Sequence, residues 1–179
     1  GALYLKGYCL SQMGRSEESR DAFMALIDKL QVPVVTGMSS VDAVYSDHPL
    51  YVGRAGTTGD RAGNFAIQNS DLLLSLGSRL SYFQTGFNHQ TWAREAFKIV
   101  NDIDPYELEK DTIRADMKVC CDVRSLINAL NTALPTALDT PREWLEKCRN
   151  WKKRYPVVLQ KHYDDPKPNT YAFYNERTA

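Results

Sequence analysis

The sequence predicts an α/β protein: a doubly wound, Rossmann-like parallel sheet with helices on both faces, followed by a C-terminal helix and an extended linker. Short apolar runs of strand length alternate with segments whose apolar residues recur at helical spacing. A glycine turn, Gly77-Ser78-Arg79, directly follows one apolar run. In open parallel sheets that position is the ligand-binding edge.

The first elements predict a strand, a helix and a second strand. Residues 2–5 are an apolar run that suits a strand. Ser16 is a plausible N-cap, and the apolar stripe over 22–30 predicts a core-facing helix. A second strand is predicted at 32–36, and a short helical turn at 40–44.

The next stretch, residues 50–79, predicts a glycine-punctuated loop, a helix and a central strand. Glycines let the loop approach a ligand where a Cβ would clash. Asp60 is the candidate cap of a helix that runs through Asn69. The apolar run 72–76 predicts the central strand, and residues 81–88 are expected to be irregular.

Two further strands and a helix complete the predicted sheet. Residues 91–96 predict a brief helix, and 97–104 a strand that Pro105 ends. Residues 117–120 predict the last strand, and a helix capped by Asp122 follows and ends before Pro135.

The character of the chain changes after Pro135, which predicts an α/β domain at 1–135 and a separate segment at 136–179. Thr140-Pro141 opens a helix, and an extended linker follows it. The basic cluster 152–154 is expected on a solvated helix face. The first residue is Gly1 rather than Met, so we expect a piece of a longer protein.

Composition excludes several classes of function. Among 179 residues, 22 are basic and 22 acidic, so the net charge is zero and predicts no nucleic-acid or membrane partner. The four cysteines form no CxxC pair. They predict free thiols in a reducing, cytoplasmic setting rather than a metal site.

Two other interpretations stay open at this point. One is a free-standing nucleotide-binding module. The other is a helical-repeat protein, because the opening residues look like one tetratricopeptide unit. A single unit cannot bury its own faces, and no second copy follows.

Four motifs in fixed order add a family resemblance. They are VPVVTGMSSVDAVYSDHPLYVGRAGTTG, NSDLLLSLGSRL, IVNDIDPYELEK and KVCCDVRSLINAL. With them, residues 2–134 resemble the central domain of thiamine-diphosphate-dependent enzymes of the acetolactate synthase type. The tail KPNTYAFYNE resembles the linker that leads to the diphosphate-binding domain of that family.

The resemblance implies a parent enzyme that decarboxylates a 2-keto acid and transfers the two-carbon unit to a second carbonyl. Thiamine diphosphate and Mg²⁺ would be held by a pyrimidine-binding and a diphosphate-binding domain, which are the implied partners. The activating glutamate and the Gly-Asp-Gly motif belong to those domains. No catalytic or metal-binding residue is therefore expected here, and this chain alone is expected to be inactive. We expect it to serve assembly within a homo-oligomer.

The resemblance further implies a possible FAD site. Carried over by position, the cofactor-binding candidates are Thr36, Gly53, Arg54, Gly56, Gly77, Arg79, Asp102, Ile103, Asp122 and Val123. Glycines permit close approach of a dinucleotide, and an arginine can bind a phosphate bidentately. The turn after the first strand is Lys6-Gly7-Tyr8, where flavin-binding members are usually glycine-rich. The resemblance thus allows either an FAD-binding or an FAD-free central domain.

Overall fold

A computed structural model of the protein describes residues 2–5, 16–134, 138, 141–160 and 164. Within these residues, the strands are β1 (Ala2–Leu5), β2 (Val34–Thr36), β3 (Tyr51–Arg54), β4 (Leu72–Leu76), β5 (Phe97–Asp102) and β6 (Met117–Cys120). The α-helices are α1 (Ser16–Leu30), α2 (Arg61–Gln68), α3 (Tyr82–Thr85), α4 (Pro105–Leu108), α5 (Val123–Ala133) and α6 (Arg142–Arg154). Short 3₁₀ turns lie at Met38–Ser40 and His89–Thr91.

The strands form one parallel sheet in the order β3-β2-β1-β4-β5-β6. This is the strand order of the Rossmann fold, which reverses direction between β1 and β4. The predicted doubly wound α/β fold is confirmed.

Apolar side chains are buried on both faces of the sheet. On one face Val35 and Leu73 pack with residues of α2 and α6. On the other, Val34 and Leu76 pack with residues of α1 and α5. Neighbouring strand residues thus point into different cores, which is why these strands read as continuous apolar runs.

Both predicted aspartate caps are confirmed. The Asp60 carboxylate accepts a hydrogen bond from the Gly63 N–H at the start of α2. The Asp122 carboxylate accepts from the N–H groups of Arg124 and Ser125 at the start of α5. Each cap satisfies amides that a helix leaves without a partner in its first turn.

The loop prediction at the start of 50–79 is wrong, because Tyr51–Arg54 is strand β3. It pairs in parallel with β2, Val34 opposite Tyr51 and Val35 opposite Gly53. The register shifts by one residue at Val52, which leaves a bulge in the edge strand. Tyr51 and Val52 favour a strand, but Gly53, which follows them, suggested a loop.

The predicted helix at 91–96 is also wrong. Trp92 and Ala93 are buried in the core, and Ala93 takes a φ of 43°. The Ala93 N–H donates to the Gln68 side chain instead of to a helical carbonyl. Burial of Trp92 therefore determines the conformation of this segment, and helix propensity does not.

Two smaller differences between prediction and structure also lie in short, turn-like sequences. The helical turn predicted at 40–44 lies earlier, as the 3₁₀ turn at Met38–Ser40. The segment predicted to be irregular at 81–88 contains α3, which a capping box between Ser81 and Gln84 stabilises.

Helix α6 covers the outer edge of the sheet. The Lys152 ammonium donates to the Tyr51 carbonyl at 2.9 Å and to the Ser46 carbonyl, and the Arg149 Nε donates to the Pro49 carbonyl at 3.1 Å. The cluster 152–154 was expected on a solvated helix face, but Lys152 instead contacts the edge of the sheet. It blunts an edge strand whose carbonyls would otherwise be open to pairing.

The same helix is anchored in the core by Cys148, which is completely buried. Burial raises the pKa of the Cys148 thiol to about 12. Cys120, Cys121 and Cys148 are free thiols. The boundary at residue 135 between two domains stays a prediction.

Candidate functional site at the carboxyl edge of the sheet

The strand register aligns the ends of five neighbouring strands in one row. Arg54 lies opposite Thr36, Thr36 opposite Leu5, Leu5 opposite Leu76, and Leu76 opposite Asn101. The candidate residues that follow these strands therefore share one edge of the sheet. The reversal between β1 and β4 lies at the centre of that edge, which is where such sheets bind ligands.

On the β4 side of the reversal, Gly77 lies beside the Val123 side chain, with room for ordinary van der Waals contact. Its φ is +55°, and a Cβ placed on it would meet only the Val123 side chain, at 3.7 Å or more. Its N–H donates to the Asn101 carbonyl at 3.0 Å. The positive φ favours glycine here, and the missing side chain lets another group approach the backbone at this strand end.

Asn101 holds the neighbouring turn and was not identified from the sequence. Its amide nitrogen donates to the Val119 carbonyl at 3.0 Å and to the Cys121 carbonyl at 2.9 Å. The side chain is completely buried, and its Oδ1 has no hydrogen-bond partner. The amide therefore fixes the turn that presents Asp122 and Val123 beside Gly77.

Arg79 is held by a pair of residues from the segment after β5. Its Nε donates to Glu107 Oε1 at 2.5 Å, while Lys110 donates to Glu107 Oε2 at 3.1 Å. Burial of Glu107 opposes ionisation, but the hydrogen bonds and charges of Lys110 and Arg79 outweigh it and lower the Glu107 pKa. The Arg79 side chain is 63% exposed, and only its Nε is engaged by Glu107.

Lys110 also stabilises an unusual backbone. Arg79 and Leu80 have φ values of 58° and 43°, which are rare for residues with side chains. The Lys110 ammonium donates to the Arg79 carbonyl and to the Leu80 carbonyl. The sequence signal for this arrangement is the DPYELEK segment of the third motif, but no role was predicted for Glu107 or Lys110.

Asp102 and Ile103 end β5 between these groups. Asp102 accepts a hydrogen bond from the Asp104 N–H at 3.1 Å, and Ile103 is largely exposed. Both therefore lie at the surface of the edge, within the same loop cluster as Gly77 and Asp122.

On the β3 side, protein atoms occupy the space that the glycines leave. A Cβ on Gly53 would lie well under 3.0 Å from the Asp60 carboxylate, and one on Gly56 equally close to the Phe83 carbonyl. Both glycines are thus required by contacts within the protein. Their role toward a cofactor stays a prediction.

Thr36 is completely buried at the end of β2. Its hydroxyl lies 3.2 Å from the Tyr51 hydroxyl, and burial raises the Tyr51 pKa. Its side chain is therefore engaged inside the protein. Lys6 and Tyr8, which follow β1, lie outside the described residues.

Comparison with known proteins identifies the family. The sequence profile of the thiamine pyrophosphate enzyme central domain matches residues 11–130. The chain belongs to this family. The resemblance drawn from the four motifs is therefore confirmed.

Curated relatives carry acetolactate synthase names. The chain is 34% identical over 141 residues to a probable acetolactate synthase large subunit of Methanocaldococcus jannaschii, covering 78% of the chain and 23% of the relative. It is 32% identical over 159 residues to the acetolactate synthase large subunit of Parasynechococcus marenigrum, covering 88% and 25%. It is 31% identical over 150 residues to the isozyme 2 large subunit of Escherichia coli K12, covering 77% and 26%. The chain spans about a quarter of the length of these relatives.

The described residues contain no group of three or more histidine, cysteine or acidic side chains placed to hold a metal ion. No helix within them is both long and apolar enough to cross a membrane.

Proposed function

We propose that this domain works within an acetolactate-synthase-like enzyme, which decarboxylates a 2-keto acid and transfers the two-carbon unit to a second carbonyl. The observation that supports this is the match of residues 11–130 to the family, together with relatives that bear the acetolactate synthase name. Thiamine diphosphate and Mg²⁺ would be bound by the other domains of the parent. The role of this domain would be assembly of the enzyme.

The full polypeptide that contains this chain is expected to release CO₂ from pyruvate only when thiamine diphosphate and Mg²⁺ are supplied. The 179-residue chain alone should release none, because the activating glutamate and the Gly-Asp-Gly motif are expected in the other domains of the parent. Product analysis distinguishes a synthase from a simple decarboxylase: acetolactate supports the proposal, and acetaldehyde as the sole product contradicts it.

We further propose that the carboxyl edge binds FAD through its β4–β6 half. The missing side chain at Gly77, the exposed Arg79 guanidinium and the position of Asp102 and Ile103 at the end of β5 suit a dinucleotide. Val123 lies beside Gly77, and Asp122 precedes it as the cap of α5. FAD would supply a bound flavin, whereas these residues would orient its phosphates and ribose.

Titration of the chain with FAD should show saturable quenching of flavin fluorescence. The Arg79→Gln variant should bind FAD about ten-fold more weakly, because one charged phosphate contact is lost. Arg94→Gln is the matched control, since Arg94 is equally exposed and pairs only with its neighbour Glu95. Absence of saturable binding, or equal affinity of Arg79→Gln and the unaltered chain, contradicts the FAD proposal.

A further inference from the structure

A basic cleft lies on the far side of the edge strand β3, away from the reversal between β1 and β4. Two adjoining cavities, of about 500 Å³ and about 170 Å³, share Arg54, Asp60 and the segment Tyr155-Pro156-Val157. The larger is within the size range of small-molecule sites. It opens where the start of α2 meets the end of α6.

The lining of this cleft is strongly cationic in a chain of zero net charge. Arg54, Arg61 and Arg154 line the larger cavity, and Lys152 lines the smaller. The ion pairs found among the described residues involve none of these three arginines. Like charges gathered in one lining repel one another, and a bound anion would relieve that repulsion.

Asp60 is the one carboxylate in the lining that the structure describes, and its oxygens are already engaged. Oδ2 accepts from the Arg54 N–H and Oδ1 from the Gly63 N–H, both at 2.7 Å. Arg54 and Lys152 lie close enough to favour its charged form. One carboxylate cannot neutralise the three arginines that line the larger cavity, so the cleft keeps a positive charge.

Tyr155 gives the cleft a defined shape. The guanidinium of Arg61 lies 5.4 Å from the centre of its ring, and that of Arg154 lies 5.5 Å from it. Phe65 packs edge-on against the same ring at 5.6 Å, which joins α2 to the end of α6. The two arginines are therefore placed by one ring against two rigid elements.

One wall of the larger cavity is apolar and is formed by Pro156, Val157 and Leu159. An inorganic anion would leave this wall unused. A ligand that carries both a charged head and an organic body would contact the arginines and the wall together.

We propose that this cleft binds a small organic diphosphate of the nucleoside diphosphate class. Arg61 and Arg154 bind the phosphate oxygens, and the apolar wall contacts the organic part. Arginine suits this role because its planar donors match phosphate geometry. The cleft is separate from the FAD site proposed on the β4–β6 half of the edge, because neither Gly77 nor Arg79 lines the cleft.

The test is isothermal titration of the 179-residue chain with ADP and with inorganic pyrophosphate. ADP should bind saturably, more tightly than pyrophosphate, and more weakly as ionic strength rises. The double variant Arg61→Gln/Arg154→Gln should lower ADP affinity by about a hundred-fold, about ten-fold for each charged contact. Both side chains are exposed, so the variant should fold, which circular dichroism verifies.

Arg142→Gln is the control on the same helix, because Arg142 is exposed at the other end of α6 and lies outside the cleft. It should bind ADP as the unaltered chain does. Absence of saturable ADP binding, or full ADP affinity in the double variant, overturns the proposal. Loss of ADP binding in Arg79→Gln overturns it as well, since ADP would then occupy the strand edge. Equal affinities for ADP and pyrophosphate overturn the organic part of the assignment.

Discussion

Replacing Gly56 with alanine should lower the free energy of unfolding by about 3 kcal/mol or more. The new Cβ would lie well under 3.0 Å from the Phe83 carbonyl, and the φ of +109° already disfavours any side chain. The carbonyl cannot move freely, because it accepts the Thr57 N–H at 2.8 Å. Asn64 also binds both the N–H and the carbonyl of Gly56. Urea denaturation of the purified variant measures the loss.

Gly86→Ala is the matched control for this substitution. Its φ of +73° is also positive, but an added Cβ would meet nothing within 4 Å. It should cost only the backbone strain, about 2 kcal/mol, because its ψ of −170° belongs to a region that few residues other than glycine adopt. If both variants lose the same free energy of unfolding, the backbone angle alone accounts for the loss. The close contact between Gly56 and Phe83 is then not what requires glycine.

The longest and most strongly patterned elements could be predicted from the sequence. The run Leu72–Leu76 is apolar except for Ser75 because most of β4 is buried between the two cores, and that pattern needs no tertiary information. Asp60 and Asp122 could be identified because a cap acts on amides two or three residues away. Strand β3 could not, since its pairing with β2 depends on residues distant in sequence, and its glycine suggested a loop.

Placement of the candidate site residues at one sheet edge followed from the order of strands, but their partners did not. The resemblance pointed to Arg79, whereas the contacts with Glu107 and Lys110 join residues about thirty positions apart. Glycines 53 and 56 looked like ligand glycines, yet Asp60 and Phe83 fill the space beside them. Sequence motifs report which residues are small or charged, and only the packed structure shows what occupies the space around them.

Asp60→Ala should lower the free energy of unfolding by about 3 kcal/mol, since it removes the α2 cap and a second bond to a backbone amide. Its carboxylate bridges the Arg54 N–H of β3 and the Gly63 N–H of α2, each at 2.7 Å. Asp122→Ala is the control, because that cap is more exposed and serves one helix. It should cost about 1 kcal/mol. Equal losses in urea denaturation would contradict the bridging role.

The loss of stability caused by Asp60→Ala should also depend on pH. Burial raises the Asp60 pKa above its usual value, although the Arg54 and Gly63 N–H groups oppose this. The folded protein therefore binds a proton on the Asp60 carboxyl group more tightly than the unfolded chain does. Asp60 therefore contributes most to the free energy of unfolding at pH values below its usual pKa. Part of that contribution is lost as the pH rises through the raised pKa of the folded state. The stability difference between the unaltered chain and Asp60→Ala should accordingly widen from pH 7 toward pH 4.

Gly53 gives a further test of the bridge, because a Cβ there would overlap the Asp60 carboxylate. The two bonds to backbone amides hold this carboxylate in place, so it cannot turn aside. Gly53→Ala should therefore destabilise the unaltered chain more than it destabilises Asp60→Ala, in which only the strain of the +153° φ remains. A double-mutant cycle should give a coupling of about 1 kcal/mol or more. Additive losses would mean that the carboxylate moves away at little cost, and that Gly53 is retained for its backbone angle alone.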